Sequence, residues 1–215
     1  MNEFFEPRLP PPAEAEERYR RAPWLAAPRG ALPGVVALER VLARTDRAAV
    51  CVTRVGAFPT GFELDLVTLT PVDRADLDPL LFGPHHHRRM GRSEDVPPDM
   101  LRFGLQFADG GKATNVGGFL PPEPGTAPTG PVIVPGGGSG GDGRWQQSFW
   151  VWPLPPQGPL LLVCEWPAAG IALTRSEIDA GVILDAAARA QVLFSDEHLP
   201  DPPVATRPPP MPHTR

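Results

Sequence analysis

The chain has 215 residues, of which 41% are hydrophobic, and this is enough for one globular domain with a buried core. Its formal net charge of -5 excludes the strongly basic surface that nucleic-acid-binding and membrane-binding proteins use. Proline (31 residues) and glycine (22 residues) are concentrated in a few segments, so the stretches between them are patterned well enough to pack.

The composition also bears on location and redox chemistry. No basic region followed by an apolar region opens the chain, and no purely apolar run exceeds five residues, whereas a membrane-spanning helix needs about 20. We therefore expect a cytoplasmic protein that does not bind membranes. Cys51 and Cys164 lie in strand-like runs, which favours buried thiols over a disulfide. Nineteen arginines against one lysine, Lys112, are typical of a GC-rich bacterial genome.

The N-terminal third contains one clear hairpin. Residues 1–22 are predicted to be an arm, and the segment Val35 to Leu42 fits either a strand or a helical turn. Residues 48–55 and 62–70 alternate and are separated by a turn sequence, so they predict a β-hairpin. In its second strand two acids, Glu63 and Asp65, alternate with apolar residues and are expected to face solvent.

Two segments in the middle of the chain lack periodicity. Residues 71–100 are interpreted as a flexible insertion. A strand from Leu101 to Phe107 follows, and Asp109, Gly110 and Gly111 form a strong turn signal before a short return strand at 112–116. Residues 117–143 are rich in proline and then in glycine, and they are interpreted as a second flexible insertion, in which Val132 to Val134 could form a short contact at the edge of a sheet.

The most apolar part of the chain flanks a proline turn at 155–158. Strands at 145–154 and 159–166 are predicted to pair across this turn, with Ser148 opposite Glu165. Both faces of the pair are apolar, which is typical of central strands that are covered on both sides.

A long helix is predicted to cover this pair. Thr174 and Glu177 have the spacing of a capping box, and apolar residues at helical spacing continue from Arg175 to about Phe194. Residues 200–215 contain seven prolines and are expected to be a disordered tail.

These elements predict an α+β fold. It consists of an antiparallel β-sheet or small sandwich of about six or seven strands, with one long C-terminal helix packed on it and disordered proline-rich ends. The expected single domain covers residues 23–199 and includes both insertions.

A block of histidines and arginines in the first insertion is the most unusual local feature. Adjacent histidines in a loop point in different directions, so we predict neither a metal site nor another cofactor. We expect an exposed cationic loop that binds an acidic protein partner and gains charge below about pH 6.5. Its predicted binding residues are His85, His86, His87, Arg88, Arg89 and Arg92.

Glu165 is the candidate catalytic residue, because it ends a run of apolar side chains between tryptophans. Burial there would raise the pKa of its carboxyl and suit a general acid, assisted by Ser148 or by a histidine of the loop. The alternative is an acid at the end of a strand, held by hydrogen bonds or by an arginine.

The sequence is compatible with three functions. The glycine-rich segment lacks the lysine and the hydroxyl residue of a phosphate-binding loop, and no nucleophile-elbow motif is present. The first expectation is a non-enzymatic protein-binding or assembly protein that binds no nucleic acid and whose partner and oligomeric state are not specified. The alternatives are a small hydrolase or isomerase that uses Glu165 as general acid and base, and a small-ligand binder that uses the tryptophans of the sheet.

Overall fold

The computed structural model describes residues 22–71, 100–116 and 127–195. Strands make up 56% of these residues and helices 8%, so the predicted α+β class is wrong and the fold is mostly β. In this part of the chain eleven strands, one 3-10 turn (Pro167–Ala169) and one α-helix occur, in the order β1 (Ala31–Leu32), β2 (Gly34–Arg44), β3 (Ala49–Ala57), β4 (Phe62–Leu69), β5 (Arg102–Gln106), β6 (Lys112–Thr114), β7 (Val132–Gly141), β8 (Arg144–Trp152), β9 (Pro159–Trp166), β10 (Ile171–Asp179), α1 (Gly181–Ala188) and β11 (Gln191–Val192).

The two larger sheets are antiparallel and pack face to face as a sandwich. The five-stranded sheet has the order β2-β3-β4-β8-β7, and the four-stranded sheet has the order β10-β9-β5-β6. Alternate residues of both sheets point into one shared core, where the rings of Phe103 and Phe149 lie 5.5 Å apart. Trp166, on β9, is fully buried there. The strands β1 and β11 form a separate two-stranded sheet.

The short helix α1 packs against β2 and β3 at the side of the five-stranded sheet. Ile183 and Ala186 are its fully buried residues. A side chain at Gly34 would place its Cβ only 1.8 Å from the carbonyl oxygen of Ala186, so the approach of α1 to β2 requires glycine there.

The predicted long helix from Arg175 to Phe194 is wrong. Residues up to Asp179 belong to β10, and the helix that follows has eight residues. The Thr174 hydroxyl donates to the carbonyl oxygen of Cys164 on β9 and therefore caps no helix. The N-cap residue of α1 is Ala180, and the Asp179 carboxylate, one position earlier, accepts a hydrogen bond from the N–H group of Gly181 at 2.9 Å. No helix in the described residues is long and apolar enough to cross a membrane.

The predicted pairing of the two tryptophan-containing strands is also wrong. The strand β8 pairs with β4 and β7, whereas β9 pairs with β5 and β10. The proline-rich connection between β8 and β9 therefore passes from one sheet to the other. Ser148 lies opposite Asp65, and Glu165 lies opposite Arg102.

Other local predictions are confirmed. The strands β3 and β4 pair across the turn at 58–61, and β5 and β6 pair across the turn at 107–111. The segment at 35–42, which the sequence leaves open between a strand and a helical turn, lies in strand β2. Part of the second insertion differs from the prediction, because residues 132–141 form the edge strand β7. The predicted arm except Ala22, most of the first insertion and the proline-rich tail lie outside the described residues.

Candidate functional site

The two predicted catalytic residues lie on opposite outer faces of the sandwich. Glu165 is on the outer face of the four-stranded sheet, and Ser148 is on the outer face of the five-stranded sheet. The Ser148 hydroxyl donates a hydrogen bond to the carbonyl oxygen of Gly137 at 3.0 Å. The structure therefore does not bring this pair together. The predicted binding residues His85, His86, His87, Arg88, Arg89 and Arg92 lie outside the described residues.

Glu165 is an ion-paired strand residue. Its Oε2 atom accepts a hydrogen bond from Nη1 of Arg102 at 2.7 Å, and 32% of its side chain is exposed. This arrangement matches the alternative that the sequence allowed, an acid held by an arginine.

Because the ion pair between Arg102 and Glu165 is partly exposed, we expect it to contribute little to the stability of the protein. Replacing Glu165 with glutamine should change the free energy of unfolding by less than about 1 kcal/mol, because exposed ion pairs contribute little. Urea denaturation followed by circular dichroism measures the change, with Glu177→Gln on the neighbouring strand as the control. A loss of more than about 2 kcal/mol would show that the carboxylate has a larger structural role than an exposed pair has.

The acids on β4 are less exposed than predicted. Asp65 is 5% exposed, and its Oδ2 accepts a hydrogen bond from Nε of Arg54 at 2.8 Å. Glu63 is half-buried, and burial raises the pKa of its carboxyl, while the positive charge of Arg54 acts in the opposite direction. The expectation that both acids face solvent is therefore wrong for Asp65, which is covered on the outer face of the sheet and ion-paired with Arg54, whose side chain is 40% exposed.

Neither cysteine is placed as a nucleophile. Both thiols are free; Cys164 is buried in the core and Cys51 is half-buried in the five-stranded sheet. Burial raises the pKa of both thiols, which disfavours the reactive thiolate. Within the described ranges, no group of three histidine, cysteine, aspartate or glutamate side chains could hold a metal ion.

The strand register builds a depression in the middle of the four-stranded sheet. Arg175, Val163, Gly104 and Thr114 lie side by side on β10, β9, β5 and β6. Because Gly104 has no side chain, this row is interrupted at its third position. A Cβ atom at Gly104 would lie 2.8 Å from the carbonyl oxygen of Ala113 on β6, so the spacing of the two strands requires glycine.

This depression is a cavity of about 390 Å³ that we call the Gly104 groove. It reaches from β10 to β6 across the outer face of the sheet. Its floor is Val163 and Gly104, one side is the pair of Arg102 and Glu165, and the other is Gln106. The remaining side chains that line it include Leu173, Arg175, Lys112, Thr114 and Val116.

The Gly104 groove is positively charged. Three cations, Arg102, Lys112 and Arg175, and one anion, Glu165, line it, so its formal charge is 3 - 1 = +2. Lys112 and Arg175 are exposed and lie at opposite ends of the groove, and neither forms an ion pair with any residue that the structure describes. The chain as a whole has a charge of -5, so this surface differs in sign from the protein that contains it.

A second cavity, also of about 390 Å³, lies among the loops at one end of the sandwich. It is lined mainly by proline rings, by Trp152 and by Asp109. The Asp109 carboxylate already accepts the N–H group of Gly111 at 2.9 Å. The other tryptophans in the core strands are largely buried, at 3% for Trp150 and 0% for Trp166, so they serve packing.

Sequence reasoning missed the residues that distinguish the Gly104 groove. Arg102, Lys112 and Arg175 are each an ordinary polar residue on an alternating strand, and only the sheet order places them around one depression. The available signal was the glycine inside the alternating segment Arg102–Gln106, since a strand glycine often marks a close approach or a gap. In the comparisons with known proteins, no family model, no curated protein and no solved structure matches this chain.

Proposed function

We propose that this protein is a non-enzymatic binding protein that holds a segment of an acidic partner protein in the Gly104 groove. The observation that carries the proposal is the pair of cations at its two ends. Lys112 and Arg175 are exposed, form no ion pair within the described ranges, and border an apolar floor in a chain of net negative charge. Carboxylates of a partner would supply the missing counter-charges.

The floor supports the same proposal. Val163, on the floor between the two cations, is half-buried, and Leu173, beside Arg175 on β10, is 50% exposed, so apolar surface of the groove faces solvent. Covering such surface contributes roughly 25 cal/mol per Å². An occupant with an apolar centre and acidic ends would therefore satisfy both features of the groove.

The shape favours a polypeptide over a compact small molecule. The Gly104 groove runs the width of the four-stranded sheet and ends at its two edge strands, β10 and β6. A chain that lies in the groove can therefore continue beyond either end. A cavity of about 390 Å³ fits a few side chains, while the rest of the partner stays outside.

A display experiment tests the proposed function. A phage library of random twelve-residue peptides is selected on the full-length protein, and the enriched clones are then measured against the double variant Lys112→Glu, Arg175→Glu. Reversing each charge should cost about 1 kcal/mol, so the double variant should bind at least about tenfold more weakly.

The matched control is the double variant Arg40→Glu, Arg44→Glu. Both arginines are exposed on β2, in the other sheet, and the change in net charge is the same. Clones that bind this control as tightly as the natural protein support the proposal. Selection of no clones, or of clones that bind the Lys112 and Arg175 variant equally well, would contradict it.

A further inference from the structure

We infer that the segment held in the Gly104 groove is an extended chain with two acidic residues four positions apart and an apolar residue midway between them. It crosses the strands of the sheet from β10 to β6. The inference rests on the proposed function and adds to it the partner's sequence pattern, which follows from the register of the four strands.

The distance between the two cations sets the spacing of the acids. Arg175 is on β10 and Lys112 is on β6, the two edge strands of the sheet. Three spacings of about 4.8 Å separate these strands, so the groove spans about 14 Å. In an extended chain, residues four positions apart are about 13 Å apart and point to the same side. On β6 it is Thr114, and not Lys112, that lies in the same row as Arg175. Lys112 is two residues away along the strand, a distance that its four-carbon side chain can span.

The central position of the segment is set by the floor. Midway between β10 and β6 are β9 and β5, whose contributions to the floor are Val163 and Gly104. Val163 is half-buried and lines the groove there, so its aliphatic side chain offers an apolar contact to a side chain that points down from the bound segment. The residue between the two acids is on the same side of an extended chain as they are, so it meets Val163.

A helical partner would need a different pattern. A helix rises about 1.5 Å per residue, so two acids that span about 14 Å would lie about nine positions apart. The spacing of the acids therefore distinguishes an extended segment from a helical one. If binding depended on net charge alone, the spacing of the acids would have no effect, so the same measurement also distinguishes this case from an extended or a helical segment.

A series of fluorescein-labelled peptides tests the inference by fluorescence anisotropy with the full-length protein. Each peptide has twelve residues in a glycine–serine background. The first peptide carries two glutamates four positions apart with a leucine midway. In two further peptides the glutamates are two or six positions apart. In the last two, the glutamates of the first peptide are replaced by glutamines, or its leucine is replaced by serine. We expect the first peptide to bind roughly tenfold more tightly than each of the others, which corresponds to the loss of one good contact.

Lys112 provides a second readout because it is the only lysine of the chain. Acetylation by an N-hydroxysuccinimide ester, followed by mass spectrometry, reports its accessibility, and the N-terminal amine serves as the internal reference. At a saturating concentration, the first peptide should cover the Lys112 amine and slow its acetylation at least about threefold. The acetylation rate of the N-terminal amine should not change.

The outcomes separate this inference from the proposed function. If peptides with all three glutamate spacings bound equally well, the extended pattern would be overturned. It would also be overturned if no peptide of the series bound to the protein while the display-selected clones still did. Tight binding of the first peptide that persists in the Lys112→Glu, Arg175→Glu variant would overturn both. Tight binding that this variant abolishes and the Arg40→Glu, Arg44→Glu variant retains supports both.

Discussion

Replacing Gly34 with valine is expected to lower the free energy of unfolding by about 3 kcal/mol or more, because overpacking against backbone cannot be relieved by a rotamer change. The Cβ atom of any residue at this position would lie 1.8 Å from the carbonyl oxygen of Ala186 and 2.6 Å from its carbonyl carbon. The helix α1 would have to move away from β2, which exposes Ile183 and Ala186, both fully buried in the natural protein. Urea denaturation followed by circular dichroism measures the loss.

The control for this substitution is Gly137→Ala on the edge strand β7. No atom of residues 22–71, 100–116 or 127–195 lies within 4 Å of the Cβ position at Gly137 apart from its chain neighbours, so alanine meets no obstacle from them. We expect a change within about 0.5 kcal/mol, as is usual for exposed positions. If the Gly34 variant were as stable as this control, the packing of α1 on β2 described above would be wrong.

The parts of the fold that local sequence specifies were predicted. The hairpins β3–β4 and β5–β6 combine alternating side chains with turn residues between them, and both signals lie within about 20 residues of chain. The turn at 107–111 includes Gly110 with a φ of 90°, a conformation that glycine adopts readily. In such segments the neighbours in sequence are also the neighbours in space.

The segment after β9 was not predicted, because its partner decides its conformation. Residues 171–179 contain apolar positions that fit a helix, yet their backbone pairs with β9 from Ile171 to Asp179. Thr174 lies opposite Cys164, and its hydroxyl is 3.1 Å from the thiol sulfur. Pairing with β9 thus overrides the helical pattern, as tertiary contacts often do.

The glycine-rich strand β7 shows a second limit of sequence reasoning. A Cβ atom at Gly140 would lie 2.4 Å from Cε3 of Trp145, and one at Gly138 would lie 2.7 Å from Oε1 of Gln147. Large side chains of β8 therefore lie against the backbone of β7, and glycine is needed for this contact. A tract of glycines predicts a loop when the side chains that lie on it are unknown.

The Gly104 groove depends on information that sequence patterns do not contain. Alternation places Arg102 on an exposed face of its strand, but it does not say which strands are neighbours, and the helical spacing around Arg175 hides that this residue belongs to a strand at all. In the sequence Arg175 is more than 60 residues from Lys112, and the order β10-β9-β5-β6 brings them to two ends of one depression. Glu165, which sequence reasoning did single out, lies on the wall of the same groove.

Trp166→Ala is expected to cost about 3 to 5 kcal/mol of unfolding free energy, since it removes a fully buried indole and leaves a cavity. Trp166 is 0% exposed, ends β9 at the edge of the shared core, and lies opposite Ile171 on β10. Its Nε1–H group is buried and has no hydrogen-bond partner among the residues that the structure describes. The stabilisation therefore comes from the apolar surface of the ring and not from its polar atom.

Trp166→Phe separates these two contributions. Phenylalanine keeps much of the buried apolar surface and removes the unpaired donor, whose burial costs roughly 1 to 3 kcal/mol. We expect this variant to lose less than about 1.5 kcal/mol, the usual range for a small core change, while the alanine variant loses several times more. Circular dichroism suits both measurements, because the substitution alters tryptophan fluorescence. Equal losses in the two variants would mean that a hydrogen bond of the indole, and not its packing, stabilises this part of the core.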